Sequence, residues 1–137
     1  MNVLETEWWT MALPPEWWAE ADGDSILVGD RDQVGCIEIS TLKRDAGEFS
    51  DEEVEGIARE DAAEEALFTP AALGDFTGLT HRYEEEGTAV REWCVASGDL
   101  LLFITYSCDE DNRGMDDAAV DELLDTLLLV PEGAGNG

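Results

Sequence analysis

His81 is the one histidine of the 137-residue chain, and it limits the chemistry the side chains can do. An imidazole runs acyl transfer only with a serine or cysteine nucleophile and an orienting acid beside it. The sequence offers no such arrangement, and the residue pattern reads His81 as a packed, hydrogen-bonded side chain sharing a strand face with Leu79 and Tyr83. Cys36, Cys94 and Cys108 fall in three separate strand-like stretches, with no close pair and no second histidine to complete a zinc site. They read as buried free thiols that behave as small hydrophobes. A Cys94–Cys108 bridge across a hairpin is conceivable from spacing alone, and a reducing compartment opposes it.

Asp109-Glu110-Asp111-Asn112-Arg113-Gly114 invites a metal test. Aligned with a calcium loop, Asp109, Asp111 and Gly114 match positions one, three and six, whereas Arg113 fills a ligand position and Val120 stands where a bidentate glutamate is needed. The stretch reads instead as an acidic turn leading into a helix capped by Asp116. Gly133-Ala134-Gly135 follows a helical pattern rather than a strand, so it is no phosphate loop. Carboxylates are too numerous for any pair to stand out as an acid–base couple. The expectation is a non-enzymatic chain with no metal and no cofactor.

Charge is the most unusual property. Thirty-four acidic residues face one lysine and six arginines, for a formal net charge of −27. Such a surface repels phosphates, which excludes ordinary nucleic-acid binding. The acids are spread along the chain: eleven before Ser50, eight in 51–65 and eight in 109–125. That spread favours a solvated surface suited to high salt; a surface that meets a basic partner and an acidity with no special role are the other two readings. Two tryptophan doublets, Trp8-Trp9 and Trp17-Trp18, invite a ligand reading. The plainer one has one ring of each in the core and the other half exposed at a sheet edge.

These side chains must be positioned by a sheet. Leu100 to Tyr106 is apolar on both alternating faces, so it belongs in the middle of a sheet covered on both sides. Ser97-Gly98-Asp99 joins it to Ala89–Ala96 as a hairpin. Further strands are read at 7–13, stopped by Pro14-Pro15, at 25–28, at 36–42 and at 76–84. Residues 16–20 read as a turn or short helical piece, and 69–75 as a connector. Ser50-Asp51-Glu52-Glu53 is a capping box, Phe49 and Val54 form a hydrophobic staple, and Val54, Ile57, Ala58, Ala62 and Ala66 make a narrow stripe on a helix ending near Leu67. Val120, Leu123, Leu124 and Leu127 mark a second helix, ended by Pro131. The expected fold class is α/β (α+β): a largely antiparallel six-stranded sheet flanked by two helices, order β-β-β-α-β-β-β-α. Residues 1–131 form one domain and 132–137 a disordered tail.

This order resembles the PsbP-like fold, which is shared by the Ran-binding nuclear-import factor and bacterial DcrB-like proteins. The resemblance rests on Leu13-Pro14-Pro15-Glu16-Trp17, similar to that fold's L-P-x-x-W corner, and on the capped helix after the third strand. It rests also on the run from Trp93 through Gly98-Asp99 to Tyr106, and on the helix ending Asp125-Thr126-Leu127. It implies a bacterial domain that binds other proteins and catalyses nothing; no binding residue transfers. The expected function is therefore a non-catalytic protein-binding domain, adaptor or chaperone in type. The alternative is an immunity-type antagonist of a basic toxin or another cationic protein. The candidate protein-binding residues are Trp8, Trp17, Trp18, Asp109, Glu110, Asp111, Asp116 and Asp117. With no apolar run long enough to span a bilayer and no signal-like start, the expectation is a cytoplasmic monomer or homodimer.

Overall fold

A computed structural model describes residues 2–23, 25–30, 34–45, 47–60, 66–115 and 117–130. Asp116, the expected helix cap, and the tail at 132–137 lie outside the described residues. Ten strands and two helices are found among those described. Strands β1 (Asn2–Glu5), β2 (Trp9–Leu13) and β10 (Leu128–Leu129) form a small sheet in the order β1-β2-β10. Strands β3 (Trp17–Asp22), β4 (Ser25–Asp30), β5 (Gly35–Lys43), β6 (Thr69–Leu73), β7 (Phe76–Glu85), β8 (Thr88–Ser97) and β9 (Leu100–Asp109) form a large one, in the order β3-β4-β5-β9-β8-β7-β6. Every pairing is antiparallel. Helix α1 (Asp51–Glu60) lies between β5 and β6 in the chain, and α2 (Asp117–Leu124) between β9 and β10. The chain is thus a sheet-dominated α+β fold with two helices, and the expected single six-stranded sheet is corrected to two sheets of three and seven strands.

Strand β9 is the fourth of the seven, because neither of its faces can be left to water. Leu102, Ile104 and Tyr106 point into the main core, with Val28, Ile37, Ile39, Trp93 and Val95. That layer is closed by Trp9 and Met11 from β2 and by Val120, Leu123 and Leu124 from α2. Leu102 and Ile104 are fully buried, which contributes about 1.5–3 kcal/mol each. Leu101 points the other way and packs with Cys94, Ala96, Val54 and Ala58 beneath α1. The β8–β9 turn needs a positive φ in its two-residue loop, and Gly98 supplies it at +60°.

The capping box forms as its residue types dictate. The Glu53 amide donates to Ser50 Oγ at 3.1 Å, and the Ser50 amide donates to Glu53 Oε1 at 3.2 Å. Phe49 packs against the cluster that holds Val54. The helix is shorter than its stripe: Ala66 is already outside it, and Ala62 falls outside the described residues. Helix α2 likewise ends at Leu124, yet Leu127 remains fully buried beyond it.

Besides β1, which lies before the first strand read from the sequence, three segments depart from that reading. Residues 17–20 belong to β3 rather than to a turn; the Trp17 amide donates to Pro14 O at 2.9 Å, so the double proline turns the chain from the small sheet into the large one. The expected connector at 69–75 is β6 and its turn, with Pro70 tolerated because β6 is an edge strand. Leu128-Leu129 pairs with β2 instead of extending a helix. Gly74, at φ +59°, makes the β6–β7 turn, where the Asp75 amide donates to Leu127 O at 3.0 Å and Asp75 Oδ2 accepts from the Leu129 amide at 2.9 Å. That turn ties the large sheet to the small one.

Candidate functional site

Alternation in β3 separates the second tryptophan doublet. Trp17 is buried in the main core, while Trp18 points to the opposite face and remains 40% exposed. Trp8, at the entry to β2, packs half-buried against the main core. The three candidate tryptophans therefore do not meet on one surface. Trp18 lies across Gly29 of β4, where a Cβ would come within 2.6 Å of its ring. The glycine leaves room for the indole to lie flat on the sheet.

Trp18 marks one end of a wider surface. Helix α1 packs on β7 and β8, whereas the same face of the large sheet continues across β9, β5, β4 and β3. Register places Trp18, Gly29, Cys36 and Ser107 in one row of this face. The next row holds Glu20, Leu27, Glu38 and Thr105, and the one after it Ser25, Ser40 and Phe103. Leu27, Cys36 and Phe103 are half-buried, Leu42 is 51% exposed, and Glu20 and Glu38 are exposed between them. The result is an apolar strip of Trp18, Leu27, Phe103 and Leu42, interrupted by carboxylates.

His81 sits further along the row of Glu38 and Thr105 and is buried. Its Nε2 lies 2.6 Å from Glu92 Oε1, its ring centroid is 4.3 Å from that of Phe68, and it stacks on Tyr83 at 5.4 Å. The Tyr83 hydroxyl donates to Glu92 Oε2 at 3.3 Å. Burial, reinforced by Glu92, raises the Tyr83 pKa above its ordinary value. Glu92 thus bridges the two rings.

All three cysteines are free. Cys94 pairs across the hairpin with Phe103 and Cys108 with Ala89, which puts the two thiols on opposite faces of the sheet and rules out a bridge between them. Cys94 donates to Val54 O at 3.7 Å, and burial pushes its thiol up to about 11. Cys36 is also raised, by burial first and then by Glu38.

The acidic stretch divides. Asp109 ends β9, and Glu110–Asn112 is a short 3₁₀ turn with Glu110 and Asp111 exposed. Arg113, at a calcium-ligand position in the motif, instead grips both oxygens of Glu84 at 2.6 Å. Among the described residues no group of three or more His, Cys, Asp or Glu side chains converges as a metal site would require. Asp117 is not a free surface acid: it accepts from Arg82 at 3.2 Å and from Arg91 at 3.4 Å. No alternation or motif signals these contacts, because they depend on α2 folding back over β7 and β8.

Solved structures share this architecture. A crystal structure from Bacteroides thetaiotaomicron VPI-5482 is similar with a TM-score of 0.68 and 21% identity over 92% of this chain, which spans 46% of that one. LpqN of Mycobacterium tuberculosis, a protein involved in cell envelope biogenesis, is similar with a TM-score of 0.59 and 14% identity over 90% of this chain and 83% of LpqN. The likeness is one of fold. Both neighbours are bacterial. No protein-family model and no curated protein matches the sequence. No helix among the described residues is long and apolar enough to cross a membrane.

Proposed function

We propose that the chain is a non-catalytic protein-binding domain of adaptor or chaperone type, built on a PsbP-like variant of its α+β fold. The observation that carries this reading is the sheet face beyond α1, where Trp18, Leu27 and Leu42 lie in an apolar strip that runs up to Phe103 at the border of the α1 cluster, with Glu20 and Glu38 among them. An aromatic anchor in an apolar strip with acids around it suits a partner segment that is apolar on one side and basic on the other. The net charge of −27 speeds the encounter with such a segment and rejects acidic ones.

The test is fluorescence anisotropy with two labelled peptides of equal apolar content, one lysine-rich and one glutamate-rich. The basic peptide binds and the acidic one does not. Trp18→Ala weakens binding at least about tenfold, as loss of an aromatic hot spot does. Equal binding of both peptides, or an unchanged affinity in Trp18→Ala, overturns the proposal.

A second reading is the antagonist of a cationic protein. It draws on the exposed acids of α1, Asp51, Glu52 and Glu55, and on Asp109, Glu110 and Asp111. Under it, neutralising these acids to Asn and Gln abolishes binding to the basic peptide and Trp18→Ala does not.

A further inference from the structure

Three of the chain's seven basic residues line one cavity on the other side of the large sheet. The cavity has a volume of about 350 Å³ and lies between β7, β8 and β9 and the first turn of α2. Its lining sets Arg82, Arg91 and Arg113 against two carboxylates, Glu84 and Asp117, over a floor that includes Ala89 and Tyr106. In a molecule with 34 acids and seven bases, three arginines against two carboxylates is a local excess of cations.

Register makes the arrangement sharper. Arg82 and Arg91 stand directly opposite each other on β7 and β8, a pairing of like charges that destabilises a sheet unless an anion lies between them. Asp117 supplies that anion from α2, with Oδ2 on Arg82 and Oδ1 on Arg91. Arg91 is further fixed by Asp121 at 2.7 Å and by stacking on Trp93, its guanidinium carbon 4.6 Å from the ring centroid, and its side chain is only 13% exposed. Arg82 and Arg113 are different: their side chains are 58% and 57% exposed. Arg113 reaches Glu84 through a single nitrogen, Nη1. Exposed pairs of this kind contribute little net stability, so an incoming anion can displace Glu84 at little cost.

We propose that this cavity is a binding site for a small ligand carrying an oxyanion, a carboxylate or a phosphate monoester, on a compact apolar body. The oxyanion takes the place of Glu84 on Arg113 and is shared with Arg82. Asp117 and Arg91 form the fixed back wall that keeps Arg82 aimed at it. The body lies over Ala89 and the Tyr106 ring. Guanidinium forks suit planar and tetrahedral oxyanions through paired N–H donors. The volume lies at the lower end of the range for small-molecule sites. The site is on the opposite face of the sheet from the proposed protein-docking strip, so either proposal stands or falls without the other.

The test is a heteronuclear NMR titration of the whole chain with phenyl phosphate and benzoate, with benzyl alcohol as the uncharged control. Saturable shifts at the Ala89, Val90 and Gly114 amides are expected with one or both anions and not with the alcohol. Which anion binds distinguishes the phosphate from the carboxylate class. Arg82→Gln/Arg113→Gln weakens binding at least about tenfold, as loss of charged hydrogen bonds does. Glu84→Gln strengthens it severalfold by freeing Arg113, a gain that ion pairs serving only to pin α2 would not give. If the double variant loses its dispersed spectrum, Arg113→Gln alone serves, since that side chain is mostly in solvent. No saturable shift with either anion, equal shifts with the alcohol, or no gain in Glu84→Gln overturns the proposal.

Discussion

Single residues carry two kinds of constraint here, space and charge. Gly74 has no room for a side chain: a Cβ would lie 1.7 Å from Leu127 O, and its φ of +59° is one that L-residues avoid. Gly47 has a similar positive φ, +83°, with nothing within 4 Å. Urea unfolding should therefore separate the two terms. Gly47→Ala costs about 1 kcal/mol, the backbone contribution alone, and Gly74→Ala costs about 3 kcal/mol or more, because the joint between the sheets must move. Equal losses would contradict the assigned role of that turn. Cys94 gives a pH dependence. Its thiol is pushed from an ordinary value near 9 up to about 11 by burial, so the native state holds a proton that the unfolded chain releases. The Cys94 contribution is fully present below about pH 9 and is lost as pH rises from 9 to 11. The difference in urea midpoint between the wild type and Cys94→Ala should hold constant up to pH 8.5 and shift against the wild type by pH 10.5; a constant difference throughout would refute the burial argument.

Elements were legible in the sequence where local chemistry was decisive. The capping box and staple of α1 come from residues within five positions of one another; both hydrogen bonds of the box form, and Phe49 packs on the cluster that holds Val54. The Arg44 guanidinium, 2.8 Å from Glu53, holds the carboxyl of that box below the usual carboxylate range. Ser50→Ala should cost about 1 kcal/mol in urea unfolding and raise amide exchange in the first turn of α1. Loss without faster exchange there would place the effect elsewhere. Strand β9 was legible because apolar residues on both faces leave one solution. What sequence could not show was decided by distant partners. Residues 17–20 look like a turn after two prolines, but each of them pairs with a residue of β4, which makes them a strand, and with that Trp17 and Trp18 part to opposite faces. Pro70 argues against a strand locally, yet an edge position removes the objection. Leu127 continues a helical stripe but is buried after the helix has ended. The grouping of Arg82, Arg91 and Arg113 crosses three segments and has no local signature.

At the scale of the whole molecule, charge and asymmetry of cover dominate. A net charge of −27 on a small domain is a standing self-repulsion, and salt screens it over a length of about 10 Å at 0.1 M. The midpoint of thermal unfolding should rise steadily from low salt into the molar range, and a flat response would show that the acids are locally neutralised. The ion pairs available, such as Arg44 with Glu53 or Arg82 with Asp117, are too few to do so. The large sheet is closed on one side by the small sheet and α2, and on the other only partly by α1. Its remaining face keeps Trp18 and Leu42 in solvent. The most direct test of this account is to map, by amide chemical-shift changes, where a lysine-rich amphipathic peptide touches the chain. The account predicts a footprint on alternate residues of β3, β4, β5 and β9, with Trp18, Leu27, Glu38 and Phe103 at its centre. A footprint confined to α1 and the Asp109–Asp111 loop would contradict it.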